Sequence, residues 1–282
     1  MNDHLAEAQI ILSDYRLIVF DIDGTIHDSQ HRFHEKTRAT LLRLREFGVD
    51  FTLATGKNLS ACRSTADALQ VDLPLIVSNG CLIQYRDGRV LHAEHLPREQ
   101  TLEFIAICEE QNRDLALYIE DTIYVKKVTR HLSILIEYGS PGLKEIKCWS
   151  ELNGRLNEVN KCLVADRDRR QNLFDLEVMC RKRIGEDVDY CQTVQAMFEI
   201  MPKGVSKMSA LRRLIGMLGI EPHEVMSFGD SDNDAEMLAG TGLGVAVANA
   251  SPIALKHADL VIASCDEDGP AVFLEGLMEK RA

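Results

Sequence analysis

The chain has 282 residues, 45% of them hydrophobic, enough for one large or two ordinary domains with proper cores. Its 32 basic against 44 acidic residues give a net charge of -12, which excludes a broad nucleic-acid or anionic-membrane surface, because backbone phosphates need clustered Lys and Arg. No stretch approaches the roughly 20 apolar residues of a membrane span, residues 1–14 lack a basic start followed by a long apolar core, and the eight cysteines include no C-x-x-C pair, so a cytoplasmic protein with reduced, mostly buried thiols is expected.

Leu17-Ile18-Val19-Phe20 reads as a buried central strand of a parallel sheet, closed by Asp21-Ile22-Asp23-Gly24-Thr25. Ligands in open α/β sheets gather at such strand ends, and period-two geometry lets Asp21 and Asp23 face one pocket. His27, His31 and His34 follow at spacings near one helical face. With no carboxylate companion at ligand spacing they read as an ordinary polar loop. Residues 36–47 carry Leu41, Leu42, Leu44 and Phe47 ahead of Gly48, an amphipathic helix with a glycine stop. The same rhythm of strand, polar tip and helix predicts a strand over 49–54 ending at Thr55-Gly56-Lys57, a helix over 59–69, and a strand over 75–77 ending at Ser78-Asn79-Gly80.

Near Gln84 the rhythm breaks. Residues 85–90 predict a hairpin with Asp87-Gly88 at its turn, followed by a helix over 99–111. Short strands are expected over 115–119, 123–125, 160–164 and 195–199, with helices over 129–138 and 167–183: a mixed α+β segment. The run Asp166-Arg167-Asp168-Arg169-Arg170 alternates in sign and reads as a solvated helix face. From Lys203 the first rhythm returns. A helix over 207–218 precedes a strand over 225–228 ending at Gly229-Asp230 and a helix over 234–239. Strands over 244–247, ending at Ala248-Asn249-Ala250, and 260–263 lead to a closing helix over 270–279. The result is an α/β core of residues 1–83 and 194–282, interrupted by an inserted α+β domain of residues 84–193.

The strand tips collect Asp21, Asp23, Thr55, Ser78, Asn79, Asp230 and Asn249, with Asn233 and Asp234 just beyond. Asp21, Asp23 and Asp230 offer hard oxygen ligands of the kind Mg²⁺ takes, and nothing soft that zinc would prefer. One Asp aimed at phosphorus can act as nucleophile and form an aspartyl phosphate, while the second protonates the leaving oxygen and then activates water. Lys207, opening a helix, is the candidate second positive charge. Thr55 can donate its hydroxyl to a phosphoryl oxygen, and Gly56 lets the backbone approach. Asn79 and Asn249 could instead serve turns, and Asn233 and Asp234 could cap the helix they precede.

Asp-x-Asp-Gly-Thr at Asp21 to Thr25, Thr55-Gly56, Lys207 and Gly229-Asp230-Ser231-Asp232-Asn233-Asp234 together resemble, in order and spacing, the four signatures of the haloacid dehalogenase-like phosphatases. The long insertion, with Ser78-Asn79-Gly80 before it and Gly-Val-Ala-x-x-Asn-Ala at Gly244 to Ala250 after it, is similar to the Cof-like branch. The likeness covers all but about the first dozen residues. It implies a Rossmann-like, doubly wound parallel-sheet core with an inserted α+β cap that sets specificity, and Mg²⁺-dependent hydrolysis of a small phosphorylated metabolite: a sugar phosphate, nucleotide or cofactor phosphate. By the same resemblance Asp21 is the nucleophile and Asp23 the general acid/base, also binding metal through its backbone carbonyl. Asp230 is a metal ligand and Asp234 a supporting carboxylate. Thr55, Gly56, Asn79, Lys207, Asn233 and Asn249 would contact phosphate or substrate. Lys57, Met208 and Ala248 depart from the branch, which commonly has Arg, Gly and Gly there. Lys57 lacks the bidentate fork of Arg. Two rival readings are a phosphomutase of the same fold, returning the phosphoryl group to a sugar, and a catalytically silent ligand sensor using the cap. Tyr118, Glu120, Tyr124 and Lys126 are candidates for reading the leaving group. No motif sets an oligomeric state.

Overall fold

The computed structural model describes residues 10–168, 170–194 and 196–280. The chain opens with β1 (Leu17–Phe20), α1 (Glu35–Arg43), β2 (Asp50–Leu53), α2 (Leu59–Ala68), β3 (Leu75–Val77), β4 (Leu82–Gln84) and β5 (Val90–Ala93). There follow α3 (Arg98–Glu110), β6 (Leu115–Ile119), β7 (Thr122–Val125), α4 (Ser133–Glu137), β8 (Lys144–Glu145), β9 (Val159–Ala165), α5 (Arg170–Arg183), β10 (Val188–Val194) and β11 (Met197–Pro202). It ends with α6 (Lys207–Leu218), β12 (Val225–Gly229), α7 (Ala235–Gly240), β13 (Leu243–Val247), α8 (Pro252–His257), β14 (Leu260–Ile262) and α9 (Gly269–Glu279). No described helix is long and apolar enough to cross a membrane. Of the eight cysteines, only Cys148 is exposed.

The chain forms two units, one of residues 1–55, 64–76 and 207–282, the other of residues 56–63 and 77–206. The passages at 76/77 and 206/207 differ from the 83/84 and 193/194 expected from sequence. Strand pairing explains this: β4 pairs with β5, and β11 pairs with both β9 and β10, so each belongs with the insertion.

In the first unit a parallel sheet runs in the order β14-β13-β12-β1-β2. All four residues of β1 are buried, and it is an inner strand, paired in parallel with β12 on one side and β2 on the other. Phe20 stacks on Phe228 at 4.9 Å between ring centroids. Register sets the site: Phe20 pairs with Leu53 on one side and Phe228 on the other, so the residues beyond these three positions emerge together at one sheet edge. Residues 44–47 tighten into a 3₁₀ turn after α1, ending at Gly48 with φ 74°, the left-handed stop its sequence suggests.

The second unit is built on a sheet in the order β10-β11-β9-β6-β7-β8. Phe104, Leu173, Val164 and Phe198 pack on one face and Tyr118, Leu132, Leu163 and Met197 on the other, which is why all seven residues of β9 are buried. Three expectations change here. Only 133–137 of the proposed helix over 129–138 is helical, because the Thr129 hydroxyl donates to Asp114 and accepts from the Leu132 amide in a turn, and Gly139 at φ 98° ends the helix. Strand β10 was not expected, since Asp189 and Gln192 interrupt its apolar character. Strand β11 begins at Met197, inside the expected span 195–199, and runs on to Pro202, while Gln195 lies outside the described residues. The run from Asp166 is also more than a solvated face: buried Asp166 accepts from Arg113 and Asn172, and Arg167 forks onto Glu137. Arg169 lies outside the described residues.

Candidate active site

Asp21 leaves the end of β1 with its amide bonded to the Phe228 carbonyl at 3.0 Å, and its side chain is buried. Lys207, the first residue of α6 and 1% exposed, donates from Nζ to Asp21 Oδ1 at 2.6 Å and to Asp234 Oδ1 at 2.7 Å. Asp234 spends its other oxygen on the backbone amides of Asp230 and Ser231, at 3.1 and 3.0 Å. Asp230 accepts instead from the hydroxyls of Thr25, at 3.3 Å, and Ser231, at 3.1 Å. Ligand oxygens of Asp21, Asp230 and Asp234 all lie within 4.8 Å of one another.

Three carboxylates thus surround one ammonium in a buried place. Burial, followed by the charge of Asp234, pushes the Asp230 carboxyl up to about 6. Burial also raises Asp21, with Lys207 pulling in the opposite direction. Burial alone would lower Lys207, but Asp21 and Asp234 outweigh it and hold the ammonium charged. The hard oxygen set and its excess of negative charge fit a divalent cation. Because Asp234 is committed to Lys207 and two amides, Asp21 and Asp230 are the carboxylates with capacity left for it.

Two glycines make this geometry possible. Gly24 has φ 80°, and a Cβ there would stand 2.5 Å from Asp230 Oδ2. A Cβ on Gly229 would meet the Asp234 side chain at 2.5 Å. Met208, where the family branch often has Gly, lies against Gly240, whose missing Cβ would stand 2.5 Å from Met208 Cε.

The other predicted residues fall around this cluster or apart from it. Asp23 turns to His31, with Oδ1 3.1 Å from Nδ1. Thr55, buried at the end of β2, bonds its amide to the Ile76 carbonyl at 2.9 Å. Asn233 lies in the 3₁₀ turn Asp232–Asp234 that leads into α7. Asn249 holds loops together: its Nδ2 donates to the Gly24 carbonyl at 2.8 Å, and its Oδ1 accepts from the Cys265 amide at 2.9 Å. Gly56 and Asn79 belong to the second unit, where a Cβ on Gly56 would stand 2.9 Å from Asn79 Oδ1.

Sequence reasoning missed Ser231 as a partner of Asp230 and the carboxylates that meet the loop histidines. Ser231 is the next residue after Asp230, and His34 reaches Asp28 Oδ2, six positions before it, and Asp268 Oδ1, each at 3.0 Å; Asp268 lies 234 positions away, where no local signal could point to it. Hydrogen bonds to Asp268 and then Asp28 raise the pKa of His34. A raised histidine stabilises the fold fully below its ordinary value near 6.5 and loses that contribution as pH rises through the folded value. His34→Gln is therefore expected to lower the melting temperature most in mild acid, the gap from wild type narrowing as pH rises above the ordinary histidine value of about 6.5. Melting curves across that rise check it, and a gap independent of pH would contradict the assignment.

Residues 18–274 match a family model described as haloacid dehalogenase-like hydrolase. The chain belongs to this family. It is 30% identical over 247 residues to the HMP-PP phosphatase of Shigella flexneri, covering 84% of this chain and 85% of that protein. The HMP-PP phosphatase of Escherichia fergusonii is 30% identical over 238 residues, with the same coverage. Among solved structures, a haloacid dehalogenase-like hydrolase from Bacteroides thetaiotaomicron superposes with a TM-score of 0.85 at 25% identity, over 93% of this chain and 99% of its own. A Thermotoga maritima protein superposes at 0.82 with 26% identity, over 93% and 97%. The Rossmann-like core with an inserted α+β domain is thus the fold of a haloacid dehalogenase-like hydrolase.

Proposed function

We propose that this haloacid dehalogenase-like hydrolase is a Mg²⁺-dependent phosphatase that releases phosphate from a small phosphorylated metabolite by way of a phosphoryl group carried on Asp21. One observation carries the reading: a buried carboxylate at the tip of the central strand, bonded to Lys207 and set beside Asp230. A carboxylate that attacks phosphorus makes an aspartyl phosphate and divides one very slow hydrolysis into two faster steps. Asp21 supplies the attacking oxygen. Lys207, held by Asp234, brings a fixed positive charge against the charge spread over the transferring group. Asp23 gives a proton to the leaving oxygen, then takes one from the water that cleaves the Asp21–phosphate bond, regenerating the carboxylate. His31, on the Asp23 carboxylate, favours the orientation of that acid. Asp21, Asp230 and the Asp23 backbone carbonyl would hold Mg²⁺, which supplies further positive charge at the phosphoryl oxygens. Thr55 offers a hydroxyl to the same oxygens, and the inserted unit reads the rest of the substrate.

The substrate test follows from the curated relatives, which carry the name HMP-PP phosphatase. Phosphate release is measured from HMP-PP, sugar phosphates, nucleotides and cofactor phosphates, with Mg²⁺ and with EDTA. Mg²⁺-dependent release from at least one of them, abolished by EDTA, is expected. No metal-dependent turnover across the panel, or turnover only with a bisphosphate activator and a sugar acceptor, would overturn it.

A further inference from the structure

Lys161 and Glu199 form an ion pair inside the second unit, with Nζ 2.8 Å from Oε1 and the residues 2% and 3% exposed. They lie on neighbouring antiparallel strands, β9 and β11, whose other residues are mostly apolar. A buried ion pair is a poor device for stability, since well-packed apolar residues of the same volume commonly do as well. What distinguishes this one is what its remaining bonds hold. Glu199 Oε2 accepts from Asn79 Nδ2 at 2.9 Å, and Lys161 donates to the Gly56 carbonyl at 3.1 Å, with the Tyr118 ring 4.6 Å from its ammonium.

Both anchored groups belong to strand tips. Gly56 follows Thr55 at the end of β2, and Asn79 follows β3. The second tip is strained: Ser78, Asn79 and Gly80 take φ of 52°, 59° and 98°, three consecutive left-handed residues. Such a conformation persists only where the surroundings over-determine it. Here the Ser78 amide donates to the Lys57 carbonyl at 2.7 Å, and Glu199 takes the Asn79 side chain. A carboxylate can only accept, so the amide must turn its nitrogen to Glu199 and its oxygen to Gly56.

We propose that Lys161 and Glu199 are positioning residues, one pair that fixes both the Gly56 carbonyl and the Asn79 amide and so orients the part of the substrate that is not transferred. The inference rests on the reading above of Asn79 as a substrate contact. Glu199→Leu alone would leave a buried, unpaired lysine and could simply unfold the unit, so the test uses the charge-neutral Lys161→Met/Glu199→Leu double variant. This is compared with Asn79→Ala and with the triple variant, using the best metabolite of the panel and p-nitrophenyl phosphate. The double variant is expected to keep wild-type circular dichroism and a similar melting temperature. Its kcat/KM for the metabolite should fall roughly 10²-fold, as for a misplaced binding group, while p-nitrophenyl phosphate, with little beyond the phosphoryl group to orient, falls much less. The triple variant should be no worse than Asn79→Ala, because all three changes remove one interaction. A folded double variant with wild-type kcat/KM, equal losses on both substrates, or losses that multiply in the triple variant would overturn the inference. A wild-type enzyme without metal-dependent turnover overturns instead the phosphatase reading on which it rests.

Discussion

Asp21→Asn is expected to leave a folded protein whose kcat on its best phosphomonoester is at least about 10⁴-fold lower, the scale seen when a nucleophile is removed from a catalytic group that acts as a unit. Folding should survive because Asn keeps the shape of Asp and its Oδ1 still accepts from Lys207, which now stands at 2.6 Å from Asp21. The substitution also removes one of three crowded carboxylates, so the melting temperature should be equal to wild type or higher, the usual opposition between stability and activity at a strained site. The amide cannot attack phosphorus. Rapid quenching of the wild type with labelled substrate should trap phosphate on the protein, and the variant should trap none. A variant with near-normal turnover would remove Asp21 from the chemistry and with it the covalent route.

Lys207→Met separates the charge from the scaffold. Its ammonium is the sole cation hydrogen-bonded to Asp21 and Asp234 among the described residues, and all three side chains are buried. Taking away one partner of a buried ion pair typically costs about 3–5 kcal/mol, because the remaining charges stay buried and uncompensated. For a protein of this size that corresponds to a fall of roughly 10 °C in the melting temperature. Activity should fall further than stability explains. Below the new melting temperature, loss of a preorganised positive charge at the transferring group is expected to lower kcat by about 10²–10³-fold. Thermal melts and kcat at a temperature where both proteins are folded separate the two effects. A stable variant retaining more than a tenth of wild-type kcat would show that Lys207 is neither the countercharge of the site nor its electrostatic catalyst.

The strand tips were legible because their signals are local. Leu17 to Phe20 is an unbroken apolar run, Asp21 to Thr25 closes it with a turn-forming Gly, and Lys207 opens a helix whose apolar spacing can be counted by eye. Errors occurred where local signals conflict with tertiary context. Strand β10 carries Asp189 and Gln192 yet pairs with β11, and the helix around Ser133 is cut short by Thr129 bonding to Asp114, fifteen positions before it. Asn249 is instructive in another way. Its position at a strand tip was visible, but its two bonds, to Gly24 and Cys265, exist only because the strand order β14-β13-β12-β1 brings the loops after β1, β13 and β14 to one edge of the sheet.

The amino-acid order by itself determined the α/β rhythm, the interruption by an α+β segment, and a set of acidic and basic residues suited to phosphate chemistry, because periodicity and turn residues act within a few positions of one another. Tertiary structure decided which of those residues meet. The strand order β14-β13-β12-β1-β2 sets Asp230 beside Asp21 across 209 positions, closing Lys207 between Asp21 and Asp234, and the antiparallel register of β9 and β11 brings Lys161 to Glu199. A lysine inside an apolar strand carries no local mark of its partner. Burial makes the pairing compulsory, since an ammonium removed from water must find its carboxylate wherever the sheet has placed one.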